Sequence, residues 1–361
     1  MAWNGDRMDR RAFLKAAGMG FAATLAPGSL RALERADAVY ASGFRAPDGS
    51  YGIATVSERG EIIDRVALPA RAHGMAWSPA TGRVVAFARR PGTFAMIFDP
   101  SRRAEPIVIT APEGRHFYGH GHFSPDGAVL YASENDFDGN RGMIGLYAGR
   151  DGFRRIGEFE AHGVGTHDMT VSDDGALLVI ANGGIETHPD FGRTKLNLDR
   201  MEPSLVMLDA KSGVVIQKHT LPSSLSRLST RHLDIAENGR IWFACQWEGA
   251  RNAAPPLAGW FSKGEDIALL DLPEETTARL ANYVGAIAVN RRDNIVGLTS
   301  PVGGTSVTLD AKTGLVLREE SVREAAGVAP AAHGIAVSSY DGQFNGTRSQ
   351  VGWDQHIIRM A

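Results

Sequence analysis

One short phrase recurs along the chain and narrows its fold more than any other feature. It consists of a histidine, an apolar strand, a glycine-containing turn and a second apolar strand. Clear copies open at His73, His120, His167 and His232, with their turns at Gly82, Gly127, Gly175 and Gly239. Their second strands read 84–88, 129–132, 177–181 and 241–245. Weaker copies start at Gly285 and His333, so successive starts lie 47 to 65 residues apart. Self-similarity at such a period marks a repeat architecture.

The turns explain the strands. Asp126-Gly127, Asp174-Gly175 and Asn238-Gly239 are tight-hairpin dipeptides, because glycine accepts positive φ without steric cost. A third strand, 204–209 or 305–310, ends in a near-identical acidic turn, Asp209 to Gly213 or Asp310 to Gly314, and a fourth strand follows. Four short antiparallel strands make one propeller blade. A single blade cannot cover both its apolar faces, so blades stack around a ring. Segments 39–44, 51–56 and 62–68 add three more strands at the N-terminal side. The expected fold is all-β, a seven-bladed β-propeller of four-stranded antiparallel sheets. Six blades are the alternative, since the first blade has no clear copy of the histidine phrase.

The 361 residues suit one large propeller domain. A formal charge of -3 and the absence of a basic stripe give no nucleic-acid footprint. The single cysteine, Cys245, allows no internal disulfide. Asp9-Arg10-Arg11-Ala12-Phe13-Leu14-Lys15 matches a twin-arginine export signal, with Asp9 where Ser or Thr is more usual. The apolar stretch 16–25 is too short to span a bilayer, and Ala36-Asp37-Ala38 has the form of a cleavage site. The expected organisation is a signal peptide over 1–38 and a propeller over 39–361. The location would be periplasmic, with no membrane span after signal removal.

In a propeller the first strand of each blade lines the central channel. Residues that start first strands and residues that end second strands therefore share one face. The first group supplies His73, His120, His122, His167, His232 and His333, and the second Glu134, Asn135, Asn182, Gln246 and Glu248. Two non-repetitive insertions, 182–203 and 246–264, follow second strands and open onto the same face. Imidazoles converging with a carboxylate describe a transition-metal site better than a calcium site, which takes oxygen ligands. Iron, copper and zinc all accept such a set. The candidate ligands are the six histidines and Glu134, with Asn182, Asp190, Arg193 and Gln246 as loop contacts that orient them. A histidine repeated at every blade edge also serves structurally, bonded to neighbouring backbone or acids, and both readings stay open. Arg89-Arg90-Pro91-Gly92 either binds an anion at the mouth or forms a solvated edge. Met75, Met143, Met169 and Cys245 read as core. No Gly-x-Ser-x-Gly elbow, P-loop or Cys-x-x-Cys-His motif is present.

Several segments together resemble a bacterial twin-arginine-exported family, domain of unknown function number fifteen-thirteen. They are Arg89 to Gly92, Gly119 to Gly121, Glu134 to Asp136, Ala181 to Ile185, Thr187 to Asp190, Gly192-Arg193, Lys195 to Asn197, Arg231 to Leu233, and Gln246. The resemblance covers nearly the whole chain after the signal. It implies a propeller-like fold and a periplasmic iron-handling role beside imelysin-type or di-haem peroxidase-like partners. It implies no established activity. Where the family reads Gly-Pro-His-Glu, this chain reads Gly165-Thr166-His167-Asp168, a departure that bears on a carboxylate role at Asp168 more than on His167.

Three functions follow. The first is a periplasmic protein that binds a transition metal, iron favoured, for uptake or delivery. The second is a metal-dependent enzyme, redox or lactonase-like, and the third a metal-free interaction scaffold.

Overall fold

The computed structural model describes residue 35 and residues 37–361. The export-signal reading of 1–38 falls almost wholly outside the described residues. Among the described residues, twenty-eight strands, β1 to β28 in chain order, form seven four-stranded antiparallel sheets arranged as the blades of a ring. Seven blades is the count, and six is excluded.

Six blades use four consecutive strands each, counted outward from the channel. The seventh is composite. Its outer strands are β1 (Tyr40–Arg45), β2 (Tyr51–Val56) and β3 (Ile62–Leu68), and its innermost is β28 (Gly352–Arg359), from the C-terminal end. Tyr40 pairs with Arg359 and Ala41 with Ile358. Closure by the two chain ends leaves the ring without a free seam.

The innermost strands, in order around the channel, are β28, β4 (Ala72–Ser78), β8 (Arg115–Phe123), β12 (Thr166–Val171), β16 (Leu228–Ile235), β20 (Ala286–Asn290) and β24 (Ala325–Pro330). The phrase at His333 does not open an inner strand. It lies in the hairpin between β24 and β25 (Ile335–Ser339), and the inner strand is the small-residue stretch before it.

The blades are held by apolar layers between them. Val85, Phe87 and Ile97 of one blade pack on Phe117, Leu130 and Tyr147 of the next. Tyr40, Phe344 and Trp353 do the same at the closing blade. Each fully buried side chain of this size contributes about 1.5–3 kcal/mol. The acidic turns cap themselves: Asp209 Oδ1 accepts from the Ser212 amide and hydroxyl, and Asp310 Oδ1 from the Thr313 pair. No helix among the described residues is long and apolar enough to cross a membrane.

Candidate metal centre

Six of the seven inner strands break register with the neighbouring strand. A bulge inserts unpaired residues and re-aims a side chain. His73 and Gly74 fall between the paired residues Ala72 and Met75. His120 falls between Phe117 and Gly121, and His167 between Thr166 and Asp168. His356 falls between Trp353 and Ile357 of β28. On β16 the bulged residue is Arg231, and His232 follows it. Five consecutive blades thus each send one imidazole into the channel.

The five rings meet. His120 is central, with centroids 4.7 Å from His356, 4.8 Å from His73, 5.1 Å from His167 and 5.4 Å from His232. His73 and His356 stand 4.8 Å apart, as do His232 and His356, and His167 and His232 stand 4.7 Å apart. Two glycines make this possible. A Cβ on Gly119, whose φ is +108°, would sit 2.7 Å from the His73 ring, and one on Gly74 would sit 2.6 Å from His120 Nδ1. The glycines beside the repeated histidines therefore serve ring packing as well as the bulge.

Asp168 sets the polarity of the cluster. Its Oδ1 lies 3.2 Å from His120 Nδ1 and its Oδ2 3.5 Å from His232 Nδ1. Backbone amides of Met169 and Leu233 also donate to it. Burial pushes this carboxyl up, but the facing His120 and His232 outweigh burial and hold it well below the usual carboxylate range. With Nδ1–H directed at a carboxylate, the free nitrogen of each ring is Nε2. His120 Nε2 and His232 Nε2 are indeed buried without a partner among the described residues, as are His73 Nδ1, His167 Nδ1 and His356 Nε2. Five orphaned ring nitrogens in one cluster demand an explanation, since buried polar atoms are normally bonded. Two triads can each bring three ligand atoms within 4.8 Å of one another: His73–His120–His356 and His120–His167–His232. Desolvation first, and then neighbouring rings and arginines, hold His73 and His167 well below the ordinary imidazole value. Desolvation likewise lowers His356 well below it and His232 to about 4, against the pull of Asp168. These rings are neutral at pH 7, the form that binds metals.

The model of a family described as "Protein of unknown function (DUF1513)" matches residues 66–360, which include all five histidines. The chain belongs to DUF1513. No curated protein matches it significantly. Among solved structures it is similar to Kuenenia stuttgartiensis hydrazine synthase, with 13% identity, 88% of this chain and 94% of that chain covered, and a TM-score of 0.63. It is also similar to the Cps50 (Swd1) β-propeller domain of Myceliophteria thermophila, with 12% identity, 84% and 91% covered, and a TM-score of 0.58. At these identities the likeness is one of fold alone.

In this DUF1513 chain the residues expected from sequence separate into three groups. His73, His120, His167 and His232 come together. His122, Glu134 and His333 do not join them. His122 Nδ1 bonds to the Phe123 carbonyl at 2.8 Å, further along the channel. Glu134 is fully buried, but its oxygens are taken by Tyr147 at 2.8 Å and by Arg115 and Arg155 at 3.1 Å each, in the layer between blades. His333 is 76% exposed in its hairpin, beside Asp293. Of the loop contacts, Asn182 is a structural staple: it accepts from Thr166 and donates to the Ala161 carbonyl. Asp190 is exposed in a 3-10 turn beside His188. Gln246 bridges to Tyr283 through its backbone. Arg193 alone stands near the site, among Arg89, Arg90 and Arg231. His356 was missed, and its signal was arithmetic: three N-terminal strands leave a blade one strand short.

The insertion at 182–203 contacts the blades on either side of its own. Tyr118 Oη lies 3.3 Å from Thr187 Oγ1, Asn135 donates to the Thr187 carbonyl, and Lys195 pairs with Glu248. The expected second insertion is shorter than 246–264, because residues 258–261 form the blade's third strand. Further along the inner strands lies a cavity of about 150 Å³ lined by His120, His232 and His356 of the cluster together with His122, Asp168 and Asp234.

Proposed function

We propose that this protein binds a transition metal ion at the five-histidine cluster, as an exported periplasmic protein of metal uptake or delivery. The observation that carries the reading is the set of five buried, unpartnered imidazole nitrogens on rings that cluster in one place, with Asp168 fixing two of the rings from behind. Metal–imidazole bonds run about 2.0–2.1 Å, so small ring rotations bring one triad onto an ion. His120 belongs to both triads, and the cluster therefore serves two adjacent positions that share one ligand. An ion exchanged between such positions suits transfer along a channel.

An all-imidazole set suits iron(II), copper and zinc. Iron is favoured by the family context of imelysin-type and di-haem peroxidase-like proteins, which would be the partners. The twin-arginine pattern at Arg10-Arg11 supports the periplasmic location. Metal analysis of protein purified after native export tests the reading. Wild type should carry close to one transition-metal ion per chain, and His120→Ala almost none. Equal metal content in the two would reject it.

A further inference from the structure

The histidine cluster leaves a second set of buried groups unexplained. Arg89 Nε and Nη1 and Arg231 Nε are buried with no partner among the described residues. Arg231 is 7% exposed. A guanidinium is never neutral at ordinary pH, and a buried donor without an acceptor costs about 1–3 kcal/mol, more when charged. Two of these donors belong to Arg89 and one to Arg231, and each calls for an acceptor.

The local charge does not balance. Arg71 is neutralised by Asp354 through two bonds of 2.8 Å. Glu248 is shared by Arg231, at 3.4 Å, and Lys195. Arg90 has only the Tyr118 hydroxyl, at 2.6 Å, and the face of that ring. Arg89 and Arg193 have no carboxylate partner among the described residues. Partial desolvation, and then the charges of Arg89, Arg90, Arg231 and Arg71, lower the Arg193 guanidinium to about 10. Like charges held this close repel unless an anion lies between them.

Three elements supply these cations: the loop after β5 (Arg83–Ala88), the insertion at 182–203, and the bulge of β16. Arg89 acts electrostatically on His73 and His356, and Arg231 on His167 and His232. The Arg89 amide donates to the Arg71 carbonyl, just ahead of His73, and Arg231 directly precedes His232, so both arginines border the histidines on the side where the first strands begin. We infer that the channel mouth binds a small, multiply charged oxyanion, of the polycarboxylate or phosphate class, clasped by Arg89, Arg193 and Arg231. Planar guanidinium forks match both carboxylate and phosphate oxygens. An anion there neutralises the collar and covers the outer side of the cluster.

The inference goes beyond the metal reading and is tested apart from it. Metal-free, chelator-treated protein is titrated calorimetrically with citrate and, separately, with inorganic phosphate at low ionic strength. Saturable binding of one of them is expected, and which one binds identifies the class. Arg193→Gln, an exposed position safe for folding, should weaken it at least tenfold, and Arg89→Gln combined with it further. His120→Gln, which removes the ring common to both triads, should keep anion binding while losing metal, which separates the two proposals. No saturable binding of either anion, or unchanged affinity in Arg193→Gln, would overturn the inference.

Discussion

His120 Nδ1 faces Asp168 Oδ1 at 3.2 Å, and the opposite nitrogen of the same ring is buried with nothing to bond. The carboxylate thereby decides which edge of the central imidazole is offered to an ion. Asp168→Asn keeps the shape but removes the charge that holds the proton on Nδ1. Metal affinity should fall about 10–100-fold, as for other carboxylates behind ligating histidines. Competition with a chromophoric chelator reads the change directly.

The two triads share His120 but divide the other four rings. His356→Ala should therefore weaken one position and spare the His120–His167–His232 triad. Titration of metal-free protein should show one ion bound more weakly in His356→Ala and no binding in His120→Ala. Identical isotherms for the two variants would contradict a divided cluster.

Glu134→Gln should leave metal content unchanged, because its oxygens serve Tyr147, Arg115 and Arg155. The change strips the buried counter-charge from two arginines. Glu158 still pairs with both, which places the loss at about 3 kcal/mol, the low end for a broken buried pair. Urea unfolding measures it.

Acid should destabilise the metal-free protein before it protonates the cluster. The folded-state value of His232 is depressed to about 4 from 6.5. Between those values the unfolded chain binds the extra proton and the folded one does not. The stability is therefore fully present above pH 6.5 and is lost as pH falls through about 4. His232 alone accounts for about 3 kcal/mol, and His73, His167 and His356 shift in the same direction. The drop in urea midpoint from pH 7 to pH 4.5 should shrink in His232→Gln.

The ring closes on Trp353, fully buried against Phe344 at a centroid distance of 5.0 Å. Trp353→Ala should cost about 3–5 kcal/mol. It should also lower metal occupancy, because the same strand carries His356.

The propeller was legible because hairpin turns and strand alternation are local, and they repeat. Four of the five clustered histidines were legible for the same reason, since each opens a copy of the phrase. His356 was not, because it reaches the cluster through pairing between the two ends of the chain, and no local pattern records that. His333 misled because its phrase imitates a strand opening, whereas the real inner strand, 325–330, is built of Ala, Gly, Val and Pro and carries little pattern. Glu134 misled because alternation along β9 (Val129–Asp136) turns it into the layer between blades rather than toward the channel. Asp168 gained its place from a long-range contact with His120 and His232.

Anomalous scattering from crystals of metal-loaded protein, collected at the iron, copper and zinc edges, tests the central claim most directly. A peak about 2.0–2.1 Å from His120 Nε2 and from two further imidazole nitrogens of the cluster is the result expected. Loaded crystals with no peak among the five rings at any of the three edges, or with an ion held only elsewhere, would contradict it.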